Sequence, residues 1–403
     1  MPENGQPNKH ERMSFAELQE FYRRHLLEDL MPFWMKHAID WEHGGIFTGI
    51  EDDGTLTTTN KFVWSNARAI YTFSALYNRI ERDEKWLAAA ENIYRFCVDH
   101  GRDERGVWGF LLDREGNMLE GEKAIQVDAF ALFGLVEYAR ATGDREAVKA
   151  ALETYDSVRD RLSRPGSYGT HPYPIPEGTK AHRDHFQFAL AFHELGSYLQ
   201  REDILKESLA KAEVVMRDFR RPEREALVEY VSVAGDMVDS PPGRAMVPGH
   251  AIESMWFMIH IYRSLGNQER VSQAVETIRW GLEKGWDPEY GGILLGIDID
   301  GRTPPYWKNP DTKIWWVHSE ALYALLLAHE LGGRPWAMDW YWKVHDWSFE
   351  HFPVKEYGEW TNKLDRKGDK IDTLIALPVK DPFHLPRAVI LCIDVLDRLK
   401  KRE

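Results

Sequence analysis

The sequence predicts an all-α fold, an (α/α)6 barrel with short β-hairpins in the loops at one end. Three observations predict it. A Gly-centred turn recurs at steps of roughly sixty residues. Apolar residues at helical spacing mark twelve segments. Those segments alternate between helices apolar nearly all round and helices apolar on one face.

The turn copies run Asp40-Trp41-Glu42-His43-Gly44-Gly45-Ile46-Phe47, then Arg105-Gly106-Val107-Trp108-Gly109-Phe110, then Ser163-Arg164-Pro165-Gly166. A degenerate copy without glycine, Glu225-Ala226-Leu227-Val228-Glu229-Tyr230, is followed by Asp287-Pro288-Glu289-Tyr290-Gly291-Gly292-Ile293-Leu294 and Glu356-Tyr357-Gly358-Glu359-Trp360. Six copies of one supersecondary unit can close on themselves and leave a cavity along the axis.

The helical segments lie near 13–38, 61–82, 84–101, 124–142, 144–163, 184–199, 202–220, 249–265, 267–285, 315–332, 335–353 and 384–402, two per repeat. Ile125 to Val136 is apolar nearly all round, as are Ala251–Ile261, Ala321–Ala328 and Leu385–Leu396, so these are expected inside. Asp144–Arg161 and Gln268–Lys284 are charged on one face and expected outside. Alternating runs such as Gly109-Phe110-Leu111-Leu112-Asp113-Arg114-Glu115-Gly116 read as the hairpins.

The repeat runs through all 403 residues, so one domain over 1–403 is expected, with a polar, frayed start from Met1 to Arg12. Apolar content of 43% with 12% aromatics supplies a large core. A formal charge of −14 argues against nucleic acid or an anionic membrane surface as partner. Cys97 and Cys392 fall inside helical segments and read as buried thiols in a reducing compartment. No secretory core or membrane-length apolar run opens or interrupts the chain, so a soluble cytoplasmic protein is the default expectation. The expected partner is a small molecule, with a homodimer kept open.

The inner helices begin just after the hairpins, so their N-termini share one end of the barrel. Polar residues interrupt the apolar pattern there: Trp64 and Arg68, Gln126 and Asp128, Asp184 and His185, His250 and Glu253, Trp315, His318 and Glu320, His384 and Arg387. Buried without partners, such groups cost about 1–3 kcal/mol each, so their recurrence points to one shared polar pocket. Tryptophan is abundant, at 16 residues, and flat indoles stack on sugar rings as readily as they fill a core.

His250 and His384 open two helices separated in the ring by the 315–332 helix, so they can flank a ligand from different sides. Glu253, one turn after His250, is placed to accept from its imidazole. A histidine pair suits proton transfer near neutral pH. Arg68 can hold a developing enediolate oxygen by a forked hydrogen bond, or else ion-pair with a carboxylate such as Asp128. Together they suggest proton removal from carbon next to a carbonyl, giving epimerisation or aldose–ketose isomerisation. His182-Arg183-Asp184-His185 and His250-x-x-Glu253 match no strong metal spacing, so no metal is expected. There is no GxGxxG after a strand and no P-loop, so no nicotinamide or ATP cofactor is indicated.

On these residues the chain resembles the N-acylglucosamine 2-epimerase family, which also includes cellobiose 2-epimerases, mannose 2-epimerases and mannose-type isomerases. The resemblance is carried by Glu42-His43-Gly44-Gly45, Lys61-Phe62-Val63-Trp64-Ser65-Asn66-Ala67-Arg68, Pro248-Gly249-His250-Ala251-Ile252-Glu253 and Gly285-Trp286-Asp287-Pro288-Glu289-Tyr290-Gly291-Gly292. It continues through Lys313-Ile314-Trp315-Trp316-Val317-His318-Ser319-Glu320-Ala321, Glu356-Tyr357-Gly358-Glu359-Trp360 and Phe383-His384-Leu385-Pro386-Arg387. It implies an (α/α)6 barrel and cofactor-independent deprotonation and reprotonation at sugar C2. His250 and His384 would be the acid/base pair, Arg68 would steady the intermediate, Glu253 would orient His250, and Trp315 or Trp316 would pack on the sugar.

The motifs at Trp315–Glu320 and Phe383–Arg387 look closest to the N-acylglucosamine branch, so N-acetylglucosamine/N-acetylmannosamine is the nominal pair. Two departures keep unmodified hexoses and reducing disaccharides open. The stretch Ala376-Leu377-Pro378-Val379-Lys380-Asp381-Pro382 stands where that branch usually has Gly-Gly-Pro-x-Lys-Gly, a pattern associated with nucleotide dependence. His185-Phe186-Gln187 occupies a place where disaccharide and mannose enzymes carry a histidine assisting the carbonyl, so His185 is a candidate sugar contact or a cap. A glycoside hydrolase would instead need two carboxylates across a cleft, drawn from Asp128, Asp184, Glu253 or Glu320. A non-catalytic sugar-binding or protein-interaction role is the remaining alternative.

Overall fold

The computed structural model describes residues 12–402 except Pro165 and Ala376. The expected frayed start therefore lies outside the described residues up to position 11, as do Pro165 of the third turn copy and Ala376 before the last helix. The chain is mostly helical, and every segment expected to be helical is so within two residues at either end. The first segment is α1 (Phe15–Arg24), a π-helical stretch and α2 (Met31–His37) run together. α3 (Val63–Ala75), α5 (Gln126–Thr142), α7 (Arg183–Leu199), α9 (Pro248–Ser264), α11 (Trp315–Glu330) and α13 (His384–Lys400) each pack on the next, and α13 packs back on α3. That closes a ring of six inner helices. α4 (Glu84–His100), α6 (Arg145–Leu162), α8 (Glu202–Val214), α10 (Gln268–Gly285) and α12 (Pro335–His351) lie outside, each against the inner helix before it, while α1 covers α13.

Burial follows the pattern of the side chains. In α5 every residue from Gln126 to Ala139 is buried, as a helix enclosed on all sides must be. Four of the six outer helices carry side-chain caps: Ser14 and Glu17 form a capping box on α1, and Asp83, Asp144 and Asn267 cap α4, α6 and α10. None of the six inner helices has a side-chain cap. Four of them instead grow directly out of strands: Lys61–Phe62 leads into α3, Thr179–Ala181 into α7, Ala245–Met246 into α9 and Lys313–Ile314 into α11. Each lead-in strand pairs antiparallel with a strand of a later connection: Lys61 with Leu112, Ala181 with Tyr230, Ala245 with Asp298, Lys313 with Leu364. The hairpins thus form a layer over the N-terminal ends of the inner helices and stitch one repeat to the next.

The recurring turns are closed by short antiparallel contacts, Ile39 to Ile46, Arg102 to Trp108, Arg220 to Leu227, Trp286 to Ile293 and Pro353 to Trp360. Glycine is required at two of them. Gly45 and Gly292 have φ of +77° and +74°, and a Cβ at either would lie 2.8 Å from Phe96 or Trp347. Two repeats also share a charged clamp. Wholly buried Lys61 donates from Nζ to Asp40 Oδ2 at 2.9 Å, and Arg114 joins the same carboxylate. Its counterpart sets Lys313 Nζ 3.3 Å from Asp287 Oδ2, with Arg366 Nε donating to that oxygen at 2.9 Å. No helix among the described residues is long and apolar enough to cross a membrane.

Because Lys313 and Asp287 are both fully buried, removing one strands the other's charge. Asp287→Ala is expected to cost about 3–5 kcal/mol, read as a fall in the urea midpoint, whereas Lys206→Ala on the exposed face of α8 is expected to leave it unchanged.

Candidate active site

A cavity of about 480 Å³ opens at the N-terminal ends of the inner helices, beneath the hairpin layer. All six inner helices contribute to its wall: Trp64 and Arg68 from α3, Gln126, Phe130 and Phe133 from α5, Arg183 and Gln187 from α7, His250, Glu253 and Phe257 from α9, Trp315 and Trp316 from α11, and His384 from α13. The mouth is bordered by Thr361 to Lys363, Lys370 to Asp372, Leu377 to Lys380 and Ile50 to Asp52.

His250 and His384 meet around one indole. The Trp316 ring centroid lies 5.3 Å from that of His250, stacked at 29°, and 5.4 Å from that of His384. His384 is held at both ring nitrogens. Nδ1 lies 2.8 Å from Glu320 Oε1, and Nε2 lies 3.2 Å from Arg68 Nη2. A carboxylate can only accept, so Nδ1 carries the proton and Nε2 presents its lone pair to the arginine. Arg387 Nη2, 3.4 Å from Nδ1, cannot donate to a nitrogen already protonated, and its real acceptors are Glu253 Oε1 at 2.5 Å and Glu320 Oε1 at 2.6 Å. Trp256 Nε1 donates to the other oxygen of Glu320 at 2.8 Å.

The two imidazoles are tuned in opposite directions. Burial, reinforced by the positive charge of Arg68, drives His384 well below the ordinary histidine value despite the nearby carboxylates. Burial would lower His250 too, but the Glu229 carboxylate, joined by the charge of Glu253, more than offsets it and leaves the imidazole raised. Glu229 Oε2 lies 3.1 Å from His250 Nδ1, and Glu229 is itself lowered because the His250 interactions outweigh its own burial. Near neutral pH one imidazole is therefore a free base and the other holds a proton more readily.

Arg68 lies with its guanidinium carbon 4.0 Å from the Phe130 ring centroid and 4.7 Å from that of Trp64. Its ion pair is with Asp381, Nη1 to Oδ2 at 3.1 Å, rather than with Asp128. Asp128 instead receives Arg161 and lies outside the cavity wall, its carboxyl pushed by burial up to about 7.

Several other residues expected in the pocket are placed elsewhere. Glu253 lines the cavity but pairs with Arg387; the partner of His250 is Glu229, because the chain folds the glycine-less turn back beside α9. His185 points away toward Phe219, and Gln187, two positions on, lines the cavity in its place. His318 is structural. Its Nε2 accepts from the Ile293 amide and its Nδ1 donates to the Ile314 carbonyl, both at 2.9 Å, so no nitrogen remains for a ligand. Asn66 does the same work in the first repeat, accepting from the Ile46 amide at 2.7 Å. Glu320 and Arg387 lie behind His384 rather than on the cavity wall. Trp64, Trp315 and Trp316 do line it. Glu253, Glu320 and His384 come close enough together to suggest a cation site, but Arg387 already occupies the charge position between the carboxylates. Of the carboxylates considered for a hydrolase, Glu253 alone lines the cavity; it shares one guanidinium with Glu320, Asp184 is spent on Gln126 and Tyr168, and Asp128 receives Arg161.

Glu229, Asp381, Arg183 and Gln187 escaped the sequence reading. For two of them a signal existed: Glu229 sits in the one turn copy that lacks glycine, and Asp381 in the stretch that departs from Gly-Gly-Pro-x-Lys-Gly. Glu229→Gln is expected to lower the His250 pKa below the ordinary histidine value, since burial then stands largely unopposed. Histidine ring-proton NMR titration checks this, and an unmoved His250 titration contradicts it.

The comparisons with known proteins agree on one family. The chain matches N-acylglucosamine 2-epimerase (GlcNAc 2-epimerase) over residues 45–388. It is 28% identical to the N-acylglucosamine 2-epimerase of Bos taurus over 386 residues, covering 93% of this chain and 90% of that one. It is 32% identical to the cellobiose 2-epimerase of Bacteroides fragilis over 410 residues, covering 94% and 98%. The solved cellobiose 2-epimerase of Spirochaeta thermophila superposes with a TM-score of 0.82 at 22% identity, over 98% of this chain and 100% of that one, and so shares the fold. The helical ring, its cavity and these matches together show that the chain belongs to the N-acylglucosamine 2-epimerase family of carbohydrate epimerases.

Proposed function

We propose that this protein inverts C2 of a reducing aldose, nominally interconverting N-acetylglucosamine and N-acetylmannosamine, without a cofactor, inside an (α/α)6 barrel. The observation that carries the reading is a pair of oppositely tuned histidines, His384 and His250, beside one indole at the wall of one cavity. The sugar must first open to the free aldehyde, because only a carbonyl at C1 makes the C2 hydrogen acidic. His384 Nε2 then takes the C2 proton. The electron pair left at C2 moves into the C1–C2 bond, and the carbonyl oxygen becomes an enolate oxygen held by Arg68. His250, protonated and backed by Glu229, returns a proton to the opposite face of C2 and the C1 carbonyl re-forms. The epimer leaves with His384 protonated and His250 neutral, and exchange with water resets the pair.

The roles follow from the pKa order. In the resting enzyme the state with neutral His384 and protonated His250 outweighs its reverse, so His384 is the base in the commoner state. Both directions need one proton on the pair, so kcat/KM for either epimer follows the same bell. Activity is lost as pH falls through the lowered His384 pKa and lost again as pH rises through the raised His250 pKa. Trp64, Trp315 and Trp316 supply faces for sugar stacking, and Phe130, Phe133 and Phe257 close the cavity floor.

Proton NMR in D2O tests the reading, using N-acetylmannosamine, mannose, glucose and cellobiose, each with and without ATP. Deuterium is expected at C2 of the acetamido sugar as its epimer accumulates. Exchange only with mannose, glucose or cellobiose would replace the nominal substrate by an unmodified hexose or a disaccharide; no exchange in any sugar would overturn the epimerase reading. His384→Ala and His250→Ala are each expected to lower turnover by about 10²- to 10⁴-fold while tryptophan fluorescence still reports sugar binding. Retained turnover in both would remove the histidine pair from the mechanism.

A further inference from the structure

Arg68 sits among aromatic rings, with Phe130, Trp64 and Phe383 ring centroids 4.0, 4.7 and 5.0 Å from its guanidinium carbon. Contacts of this kind hold the cation but do not set the directions of its N–H groups. Hydrogen bonds at the fork do that. Nη2 meets His384 Nε2 at 3.2 Å, Nη1 meets Asp381 Oδ2 at 3.1 Å, and buried Nε has no partner among the described residues. The first of these contacts cannot survive the reaction, since Nε2 must turn its lone pair to the C2 hydrogen. From that moment Asp381 is the remaining protein partner of the fork.

Asp381 is built for this position. Its side chain is 2% exposed and lies outside the cavity wall, so it reaches the sugar only through the arginine. Ser65 Oγ donates to Oδ2 at 2.9 Å, while Oδ1 has no donor among the described residues. A buried carboxylate left half satisfied is costly unless a cation offsets it. The residue before it anchors the stretch Leu377 to Lys380 at the cavity mouth. Lys380 Nζ donates to Asp52 Oδ1 at 2.6 Å and to the Trp360 carbonyl at 2.7 Å, and its amide donates to the Thr48 carbonyl at 2.9 Å. Lys370 Nζ lies 2.9 Å from the other oxygen of Asp52.

We propose that Asp381 is a positioning residue of the reaction, which fixes the angle of the Arg68 fork and ties it to the segment over the cavity mouth. The inference rests on the epimerase reading of the same site. Asp381→Asn keeps the shape and removes the charge; Ser65→Ala removes only the hydroxyl that holds the carboxylate. With the sugar that exchanges in wild type, Asp381→Asn is expected to lower kcat about 10²-fold and leave KM nearly unchanged. Ser65→Ala should lose less, and Asp381→Glu should regain part of the loss. Nitrogen-15 NMR of the arginine side chains should show the Arg68 Nη protons exchanging faster with water in Asp381→Asn than in wild type.

Wild-type kcat in Asp381→Asn overturns the proposal, as does a loss that Asp381→Glu does not relieve while the Arg68 signals stay unchanged. If wild type itself exchanges no sugar proton, the epimerase reading falls instead. The Arg68 signals then decide the orienting role alone, and unchanged exchange in Asp381→Asn overturns it.

Discussion

Beneath His384, one guanidinium nitrogen of Arg387 reaches Glu253 at 2.5 Å and Glu320 at 2.6 Å, and that shared contact joins α9, α11 and α13. Two buried carboxylates this close repel one another, and the guanidinium between them offsets that repulsion. Glu320 then has capacity left for the His384 imidazole and the Trp256 indole. The tautomer of His384 follows, and with it the direction of its Nε2 lone pair. Buried ion pairs add little net stability compared with a well-packed apolar core. Here the gain is orientation, because a ring held at Nδ1 presents Nε2 to the cavity.

The repeats explain where such a network can arise. Residues 252 positions apart do the same work: Lys61 and Lys313 clamp turns through buried aspartates, and Asn66 and His318 each hold a turn amide. Much of the polarity at the inner helix starts therefore serves the hairpin layer. The network around His384 sits where the repeat breaks its own rule. Arg68 on α3 corresponds to Glu320 on α11, opposite charges at equivalent positions, and both converge on His384 from different sides. Glu229 comes from the one turn without glycine.

Most of the fold was legible because two periodicities, one of helical spacing and one of turn recurrence, pointed the same way. The twelve helical segments and the single shared end followed from them. The wall of the cavity was legible for residues that break an apolar face, as Arg68, His250, Trp316 and His384 do. Pairing was not. Spacing along one helix suggested Glu253 for His250, yet the partner arrives from a turn 21 residues earlier, which no helical periodicity encodes. His185 and Asp128 were misjudged for a related reason. A helix buried all round gives no contrast between faces, so position near its start does not say which side meets the axis. His185 faces Phe219 and Asp128 faces Arg161, both outward.

The ring closes through α13, which packs on α3 along one side and under α1 on another. That helix carries His384 and Arg387, and it is the last inner element along the chain. During synthesis the first five inner helices emerge before it, with α1 waiting for the surface it covers and Arg68 for His384. Until α13 leaves the ribosome, Glu253 and Glu320 lack their cation and the cavity lacks a wall. Enclosure of the cavity and topological completion are thus one event, and a nascent chain that stalls short of it holds an open arc of helices.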